Sequence, residues 1–424
     1  MEQQSFALDL DKYSRLLKAV GSMTRLYSDG NRAFIHSRFV EKLFVNCSSN
    51  SRDLSRSDMS FDAVLSNGIG VGVKTFIADN EKTGKSEKIA EFTNHAKLGV
   101  FQGLGAEQLA KKASELRNNR IISDANEYSI SQDKSIYHCL VRVSGHAFIH
   151  EEPYNLVDLN NIKPTDNKGF EISNFSDSSS GHSYFTDGKS KYRYDVAKNV
   201  LYKRFELSLY KNSPPIELPI YEDIFDRIIG WVDSASTKPM ELISELVAPS
   251  VDEVRGKNYV VLPLYSTRTK TEKVVAEKSG INQWNAGGRD RKFGESYIPI
   301  PKDIHKYFPG FFPSRDVKFM MLLPNGNIVS AKVCQENSKA LMSDPNTELC
   351  DWLYNTIDGD DPRKSSRFRE QRPFTYEDLV RVGKDSVKII KVEGRPYQFE
   401  LHSHHLGAFE EFIAPEDSVS QDIN

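Results

Sequence analysis

Two apolar runs flank an Asn-Gly pair in residues 61–76, FDAVLSNGIGVGVKTF. Because Asn-Gly favours the tight turn that joins two antiparallel strands, the pattern predicts a β-hairpin over residues 60–78. One charged residue interrupts each arm, Asp62 before the turn and Lys74 after it. An acid and a base among apolar neighbours on paired strands are the first candidates for a functional site.

Helical spacing of apolar residues predicts a helix on each side of this hairpin. The apolar face of residues 31–46 consists of Phe34, Ile35, Phe39, Val40, Leu43 and Phe44. After the hairpin, SEKIAEFTNHAKLGVF places Ile89, Phe92 and Leu98 at helical spacing, with Ser86 as the N-cap. The hairpin is therefore expected to pack between two helices.

The rest of the chain divides at a proline-rich segment. Residues 136–209 predict several strands, and three prolines in residues 211–223 predict a domain boundary. From residue 256 onward strands dominate again, interrupted by a predicted helix over residues 343–357 and another in FTYEDLVRVG. The predicted organisation is an N-terminal α/β domain with a mixed central sheet over residues 1–212, linker helices over 213–250, a mostly β domain over 251–415 and a polar tail over 416–424.

Composition narrows the class of protein without naming one. A chain of 424 residues with 38% apolar residues can form two or three cores, and its net charge of −3 gives no overall basicity. The four cysteines are far apart and show no CxxC spacing, which favours reduced thiols in the cytoplasm over zinc or disulfides. The chain contains no run of about 18 apolar residues, so we expect no membrane partner.

The charged pair of the hairpin fits metal-dependent cleavage of phosphodiesters. Such chemistry needs carboxylates that hold Mg²⁺ against a phosphate and a cation beside the attacking water. The usual pattern places a second acid two residues before the lysine, but Gly72 occupies that position. The predicted helix at Ser86 offers Glu91, which we favour as the second metal ligand, and also Glu87.

Glu41 is a fourth catalytic candidate, because the predicted first helix places it three residues after Arg38. The alternative for the hairpin is structural, since a lone Asp or Lys between apolar residues is commonly a surface residue of an edge strand. The glycines of GIGVGV also suggest a nucleotide-binding loop, but such a fingerprint opens a helix, and here VKTFIA continues as a strand.

The first 210 residues resemble a known class of nuclease. The segments NRAFIHSRFVEKLF, SFDAVLSNGIGVGVKTF, SEKIAEF and FTDGKSKYRYDVAKNVLYKRF are similar to the nuclease region of type II restriction endonucleases of the PD-(D/E)xK kind. The resemblance implies catalytic roles for Asp62 and Lys74, with an acid from KIAEF. Gly72 departs from the pattern of that family.

Two polar loops in the second half could read DNA bases. Asn and Gln can pair with adenine and Arg with guanine, while other cations suit phosphates. The candidates in the first loop are Asn282, Gln283, Trp284, Asn285, Arg289 and Arg291, and those in the second are Gln335, Asn337 and Lys339. The alternative is that these are ordinary loop residues and that Trp284 is a buried plug.

The same region resembles a DNA-binding domain. SGINQWNAGGRDR, YIPIPKDIHKYFPGFFPSRD, LPNGNIVSAKVCQENSKALMSDPN and FTYEDLVRVGKDSV are similar to the C-terminal domain of NgoFVII-type restriction endonucleases, a B3-like pseudobarrel related to domains of EcoRII and BfiI. The resemblance implies that two arms, residues 282–291 and 335–339, enter the major groove. Members of that family often carry a phospholipase-D-like nuclease, but its HxK motif is broken here, because Gln102 stands where the Asp after His95 and Lys97 is required.

Together these patterns predict a type II restriction endonuclease that binds double-stranded DNA, needs Mg²⁺ and acts as a homodimer, since cutting two strands usually takes two active sites. Two alternatives stay open at this point. One is a nuclease that depends on base modification, and the other is a DNA-binding regulator whose N-terminal domain only dimerises.

Overall fold

The structure, a computed structural model, describes residues 8–49, 51–55, 59–78, 82–175, 181–208, 214–234, 258–268, 272–286, 294–359 and 363–414. The strands of its N-terminal part are β1 (Arg52–Asp53), β2 (Ala63–Val64), β3 (Gly70–Ile77), β4 (Lys82–Glu91), β5 (Ile136–Val143), β6 (His146–Pro153), β7 (Lys163–Pro164), β8 (His182–Thr186), β9 (Lys191–Asp195), β10 (Val200–Ser208) and β11 (Ile216–Glu217). The helices of this part are α1 (Leu10–Ser22), α2 (Ser37–Cys47), α3 (Thr93–Lys97), α4 (Ala106–Glu127) and α5 (Ile224–Ser234).

The first sheet contains the predicted hairpin. Its strand order is β1-β2-β3-β5-β6-β11, and β2 pairs antiparallel with β3 through the Asn67-Gly68 turn. Strand β5 then pairs parallel with β3, which requires a long crossover, and that crossover contains α4. The hairpin is confirmed, and the sheet is mixed as expected.

Helices α1 and α2 cover one face of this sheet. Helix α2 buries Val40, Leu43 and Phe44, whose spacing of three or four residues places them on one side of the helix. They pack in one core with Val71 and Val73 of β3. The predicted helix is therefore confirmed, although it begins at Ser37, and Phe34 lies before it with its side chain exposed.

The helix predicted from Ser86 is wrong. Residues 82–91 form β4, which pairs antiparallel with β10, and only the short α3 follows. Ala90 pairs with Leu201 of β10 and Lys88 pairs with the next residue, Tyr202. Ile89, between them, is therefore the extra residue of a β-bulge. The bulge changes the alternation of the strand and places Ile89 and Phe92 three residues apart, which imitates helical spacing.

Strand β4 is the edge of a second, antiparallel sheet with the order β4-β10-β9-β8-β7. Helix α4 packs between the two sheets. Its buried alanines, Ala110 and Ala113, contact a core that contains Phe185 and Tyr194 of the second sheet. Small side chains allow this close approach, so α4 reaches the face of the first sheet that carries Lys74.

The C-terminal part contains strands β12 (Tyr259–Pro263), β13 (Ile298–Pro299), β14 (Lys318–Leu322), β15 (Ile328–Cys334), β16 (Ala340–Ser343), β17 (Lys384–Lys391) and β18 (Phe399–His405). Its helices are α6 (Lys302–Tyr307), α7 (Thr347–Ile357), α8 (Ser366–Arg369), α9 (Tyr376–Val382) and α10 (Ala408–Ile413). The two predicted helices correspond to α7 and α9.

The seven strands of this part form one sheet in the order β12-β17-β18-β14-β15-β16-β13. Within this sheet, β14 and β18 are the only described neighbours that pair in parallel. The edge strands β12 and β13 approach each other, so the sheet nearly closes into a barrel around an apolar core that includes Met321 and Trp352. This architecture is compatible with the predicted B3-like pseudobarrel.

The two parts are joined along α4. Helix α4 packs against α7 and α9, and the hydroxyl of Ser123 donates to the carbonyl of Thr356 at 2.5 Å. Helix α5 falls within the predicted linker, whereas residues 235–257, which include the rest of the predicted linker helices, and residues 415–424 lie outside the described residues. Among the described residues, no helix is long and apolar enough to cross a membrane.

Candidate active site and DNA interface

Asp62 and Lys74 lie on the same face of the first sheet, at one cavity of about 350 Å³ between the sheets and α4. We call it the Asp62 cavity. Its polar and charged lining residues are Ser60, Asp62, Lys74, Lys88, Glu91, His95, Arg117, Arg120, Tyr137 and Tyr154. The structure thus places two residues that are 12 positions apart in the chain, together with Glu91 from the second sheet, around a single cavity.

The carboxylate of Asp62 is largely buried, and burial raises its pKa from 3.8 to about 6. The ammonium of Lys74 and the backbone N–H of Val73, which donates to Oδ2 at 2.7 Å, act in the opposite direction. The negative charge of Glu41 raises the pKa further. Asp62 is therefore mainly ionised at neutral pH, and a cation in the cavity would stabilise its charge.

Packing explains why Gly72 replaces the usual acid. A Cβ atom at Gly72 would lie 2.6 Å from Cε2 of Tyr154, which is closer than real Cβ contacts. Tyr154 stacks on Tyr137 with ring centroids 4.1 Å apart, and its hydroxyl donates to the carbonyl of Ser60 at 2.6 Å. The two rings fill the space that a carboxylate two residues before Lys74 would need.

The three other candidate acids have different positions. Glu91 lines the Asp62 cavity, but its exposed carboxylate accepts from Lys88 Nζ at 2.8 Å and from the Thr93 hydroxyl at 3.0 Å, which lowers its pKa. Glu87 faces Lys203 across the β4–β10 pair and is not among the residues that line the cavity. The expectation that Glu87 and Glu91 lie one helical turn apart is wrong, because both belong to a strand.

Glu41 lies on α2 and forms an ion pair with Arg38 at 2.8 Å. Its side chain is half-buried and close enough to Asp62 to act on the pKa of that residue. It does not line the cavity. Glu41 can therefore influence the charge of Asp62 without facing the same space.

Within the described part of the chain, no group of three or more His, Cys, Asp or Glu side chains is arranged to hold a metal ion. Mg²⁺, however, is commonly bound by one or two carboxylates, and water and substrate phosphate complete its six oxygens. Oδ1 of Asp62 accepts no hydrogen bond from the described residues, and Glu91 borders the same cavity. This donor set fits one Mg²⁺ bound together with a phosphate.

The C-terminal domain forms part of the cavity wall. Gly383, which ends α9, lines the cavity, and its carbonyl accepts from Arg120 Nη1 at 3.1 Å. Nε2 of His95 lies 3.0 Å from the carbonyl of Val380, and burial lowers the pKa of His95 to about 4. His95 is therefore neutral at pH 7 and bonds the two domains.

A buried ion cluster lies next to this wall. Nζ of Lys384 is 2.6 Å from Oδ1 of Asp124 and 2.5 Å from Oε2 of Glu127, and all three side chains are at most 1% exposed. Glu127 also accepts from the backbone N–H of Ser403 at 3.1 Å. We call Asp124, Glu127 and Lys384 the interdomain ion cluster, because it joins α4 to the barrel.

Sequence reasoning missed the contribution of α4 to the site. Arg117 and Arg120 line the Asp62 cavity from this helix, whose buried side includes many polar residues. Leu109, Leu116 and Ile121 are the only large aliphatic residues that the helix buries, so its apolar period is weak. The signal that could have found it is the absence of glycine and proline from residues 106–144.

In the barrel, the structure brings the two predicted arms together, since Gln335 Nε2 lies 3.4 Å from Gln283 Oε1. Asn337 and Lys339 are exposed, and Asn285 is half-buried. Gln335 and Asn337 have positive φ angles, so the second arm is a tight loop between β15 and β16. Arg289 and Arg291 lie outside the described residues.

Two of the predicted base readers, Asn282 and Trp284, pack against the barrel. Asn282 is fully buried, and its amide donates to the carbonyls of Ala276 (3.1 Å) and Phe374 (2.8 Å) and accepts from the N–H of Phe374 at 2.8 Å. Trp284 packs against Phe368 with ring centroids 4.9 Å apart. Both side chains hold the first arm to the barrel, so the amide of Asn282 points inward in this structure and does not face the surface where a base would lie.

Comparison with known proteins identifies the type of the second domain. The match is to a DNA-binding domain of the B3-like class, and it covers residues 259–393. The particular family is the NgoFVII C-terminal B3-like DNA-binding domain. The resemblance stated for this region is thereby confirmed, and it supports sequence-specific DNA recognition by the C-terminal part. No curated protein matches the chain.

We expect Asn282→Ala to destabilise the fold and to leave the choice of DNA sequence unchanged. The substitution leaves one backbone N–H and two carbonyls inside the barrel without partners, which should lower the free energy of unfolding by about 2–3 kcal/mol. Urea denaturation measures this loss, and Asn285→Ala in the same loop is the control. A stable Asn282→Ala protein that no longer discriminates between DNA sequences would restore Asn282 as a base reader.

Proposed function

We propose that this protein is a site-specific DNA endonuclease that needs Mg²⁺ and hydrolyses phosphodiester bonds in the Asp62 cavity. The observation that carries the proposal is the placement of Asp62, immediately before β2, and Lys74 of β3 at one cavity, in a chain with a B3-like DNA-binding domain. The carboxylate suits a cation and the ammonium suits a phosphate. The second domain would bind the DNA that carries this phosphate. The cytoplasm, where cellular DNA is accessible, is the expected location.

The order of elements around the cavity supports the same conclusion. Along the chain, helix α2 is followed by the β2–β3 hairpin, later by α4, and then by β5, which pairs parallel with β3. The strands belong to one mixed sheet, with α2 on one face and α4 on the other. This is the architecture expected for a PD-(D/E)xK-like nuclease. Two copies of the chain, acting as a homodimer, would cut both strands of a duplex.

Each residue has a role in this reaction. Asp62 and Glu91 would hold the Mg²⁺, which supplies Lewis-acid stabilisation of the phosphate charge. The ammonium of Lys74 orients the attacking water and stabilises the charge that develops on the phosphate oxygens. Water forms the new bond to phosphorus, the 3′ oxygen leaves, and the product carries a 5′-phosphate.

A digest of plasmid DNA tests the proposal. The wild-type protein should produce discrete fragments with Mg²⁺ and none with excess EDTA. Methylated and unmethylated plasmid, compared in the same digest, separate a restriction enzyme from a nuclease that requires modified bases. Specific DNA binding with no cleavage under either condition would favour a regulator.

Glutamine substitutions identify the second metal ligand. We expect Glu91→Gln to raise the Mg²⁺ concentration needed for half-maximal cleavage by about 10- to 100-fold, because Glu91 is the other carboxylate at the cavity. Glu87→Gln, four residues earlier on the same strand, is the matched control and should change it less than twofold.

Glu41→Gln completes this comparison. It removes a negative charge that raises the pKa of Asp62, so Mg²⁺ dependence should remain and the acidic limb of the pH profile should move to lower pH. If Glu41→Gln loses Mg²⁺ dependence while Glu91→Gln keeps it, the second ligand comes from α2.

A further inference from the structure

Arg117 differs from the other cations of the Asp62 cavity in having no acidic partner. Lys88 pairs with Glu91, Arg120 with Asp124, and Lys74 lies beside Asp62. Arg117 forms no ion pair with a carboxylate of the described residues, although its side chain is only 2% exposed. A buried charge without a counter-ion is costly, and a ligand can remove that cost.

Neutral groups fix the guanidinium of Arg117. Nη1 donates to the carbonyl of Asn155 and Nη2 to the hydroxyl of Tyr137, both at 3.1 Å. The group also lies 5.5 Å from the ring centroid of Tyr154. These contacts use two of its three nitrogens and leave its charge uncompensated.

The third nitrogen has no partner. Nε of Arg117 is buried, and no described residue accepts its hydrogen bond. Because Arg117 lines the Asp62 cavity, an acceptor bound in the cavity can supply the missing bond. The acceptor that suits a positive group with a free N–H is an anionic oxygen.

The charge of the cavity points to the same ligand. Lys74, Lys88, Arg117 and Arg120 line it against two carboxylates, Asp62 and Glu91, while His95 is neutral at pH 7 because burial lowers its pKa. Since Arg120 is paired with Asp124 outside the lining, one positive charge remains uncompensated in the cavity, which matches the single negative charge of a phosphodiester.

We propose that Arg117 is a phosphate-binding residue, which holds a non-bridging oxygen of the phosphodiester to be cleaved. This inference rests on the proposed function for the identity of the ligand, but the phosphate site itself does not require cleavage. Arg117 lies on α4, whereas Asp62 and Lys74 belong to the hairpin, so the phosphate would be held from the opposite wall of the cavity. The position of the phosphate relative to Lys74 would then depend on α4.

Binding of inorganic phosphate without Mg²⁺ tests the inference independently of cleavage. Thermal unfolding of the full chain is followed in phosphate and in chloride at equal ionic strength, so that general screening cancels. Phosphate should stabilise the wild-type protein more than chloride does. Arg117→Gln should weaken the apparent phosphate affinity by about tenfold or more, as expected for one lost hydrogen bond to a charged group.

Two further variants keep this test decisive. Lys111→Gln changes an exposed cation on the same helix that is not among the cavity's lining residues, and phosphate binding should be unchanged. Arg117→Lys retains the charge but not the Nε–H, so it should show intermediate affinity if Arg117→Gln does not fold. Equal phosphate affinity in wild type and both Arg117 variants, or none in the wild type, would overturn the inference.

The outcome also separates this inference from the proposed function. Phosphate binding that depends on Arg117 in a protein that cuts no DNA would leave the phosphate site standing and remove the nuclease. Cleavage that is normal in Arg117→Lys and Arg117→Gln, with unchanged phosphate affinity, would leave the nuclease standing and make Arg117 a structural tie between α4, Asn155 and Tyr137.

Discussion

Lys74→Ala should reduce Mg²⁺-dependent DNA cleavage by about 10³-fold, the effect of removing one group that stabilises transition-state charge. Lys74 extends from β3 into the Asp62 cavity, where its ammonium acts on the carboxylate of Asp62. Alanine removes the only cation that the hairpin contributes to the cavity. Binding of the same DNA should be unchanged, because the barrel and its arms are untouched.

Single-turnover cleavage and gel-shift titration of one duplex measure the two properties separately. Lys163→Ala, which removes an exposed lysine that pairs with Glu171 in the second sheet, is the control and should retain full activity. Lys74→Arg tests whether charge alone is sufficient, and we expect it to restore little because a guanidinium is larger and planar. Cleavage by Lys74→Ala at the wild-type rate would exclude the Asp62 cavity as the active site.

Lys384→Ala should be the most destabilising single substitution that we predict. The substitution leaves Glu127 buried without a cation and leaves Asp124 with only the more distant Arg120, and the loss of one partner of a buried ion pair costs about 3–5 kcal/mol. Burial alone would raise the pKa of Asp124, but Lys384 and Arg120 outweigh burial and lower it. The stability that Asp124 contributes is therefore present at neutral pH and is lost as the pH falls through its lowered pKa.

Chemical denaturation followed by two probes, one for each domain, measures the loss. The interdomain ion cluster joins α4 to β17, so the domains of Lys384→Ala should also unfold in separate transitions. Lys391→Ala, at the exposed end of the same strand, is the matched control. A loss below about 1 kcal/mol for Lys384→Ala, in the range of a surface ion pair, would contradict this account of the cluster.

The hairpin could be predicted from sequence because its determinants are local. Asn67-Gly68 sets the turn, and the apolar residues on each side pair within a few positions. Strand β4 could not, since its bulge at Ile89 produces helical spacing and its pairing partner, β10, lies more than 100 residues away. Local pattern and distant pairing disagreed there, and the distant pairing decided the structure.

Buried polar groups were the second limit of sequence reasoning. Asn282 lies in a loop whose composition suits DNA recognition. Its amide, however, bonds to Phe374, which is 92 residues away, and therefore points inward. Arg117 is similar, because its contacts come from Tyr137 and Asn155 on other elements. A sequence shows that such residues are polar, but only the fold shows whether they face a partner, a cavity or water.

The meeting of Asp62 and Lys74 at one cavity was predictable from the hairpin. The departure at Gly72 was visible in the sequence, and the stacked rings of Tyr137 and Tyr154 supply its physical reason. Glu91 was favoured as the second acid but was placed on a helix, because the approach of a strand of the second sheet to the hairpin could not be predicted. That strand is β4, which brings Glu91 to the cavity from the opposite side.

Cleavage of one sequenced plasmid by the wild type and by Asp62→Asn, side by side with Mg²⁺, tests whether the reaction requires the carboxylate of Asp62. We expect the wild type to cut at one defined sequence and Asp62→Asn to bind the same DNA without cutting it. Fragments of identical size and rate from both proteins would contradict this expectation, because the reaction would then not require the carboxylate of Asp62.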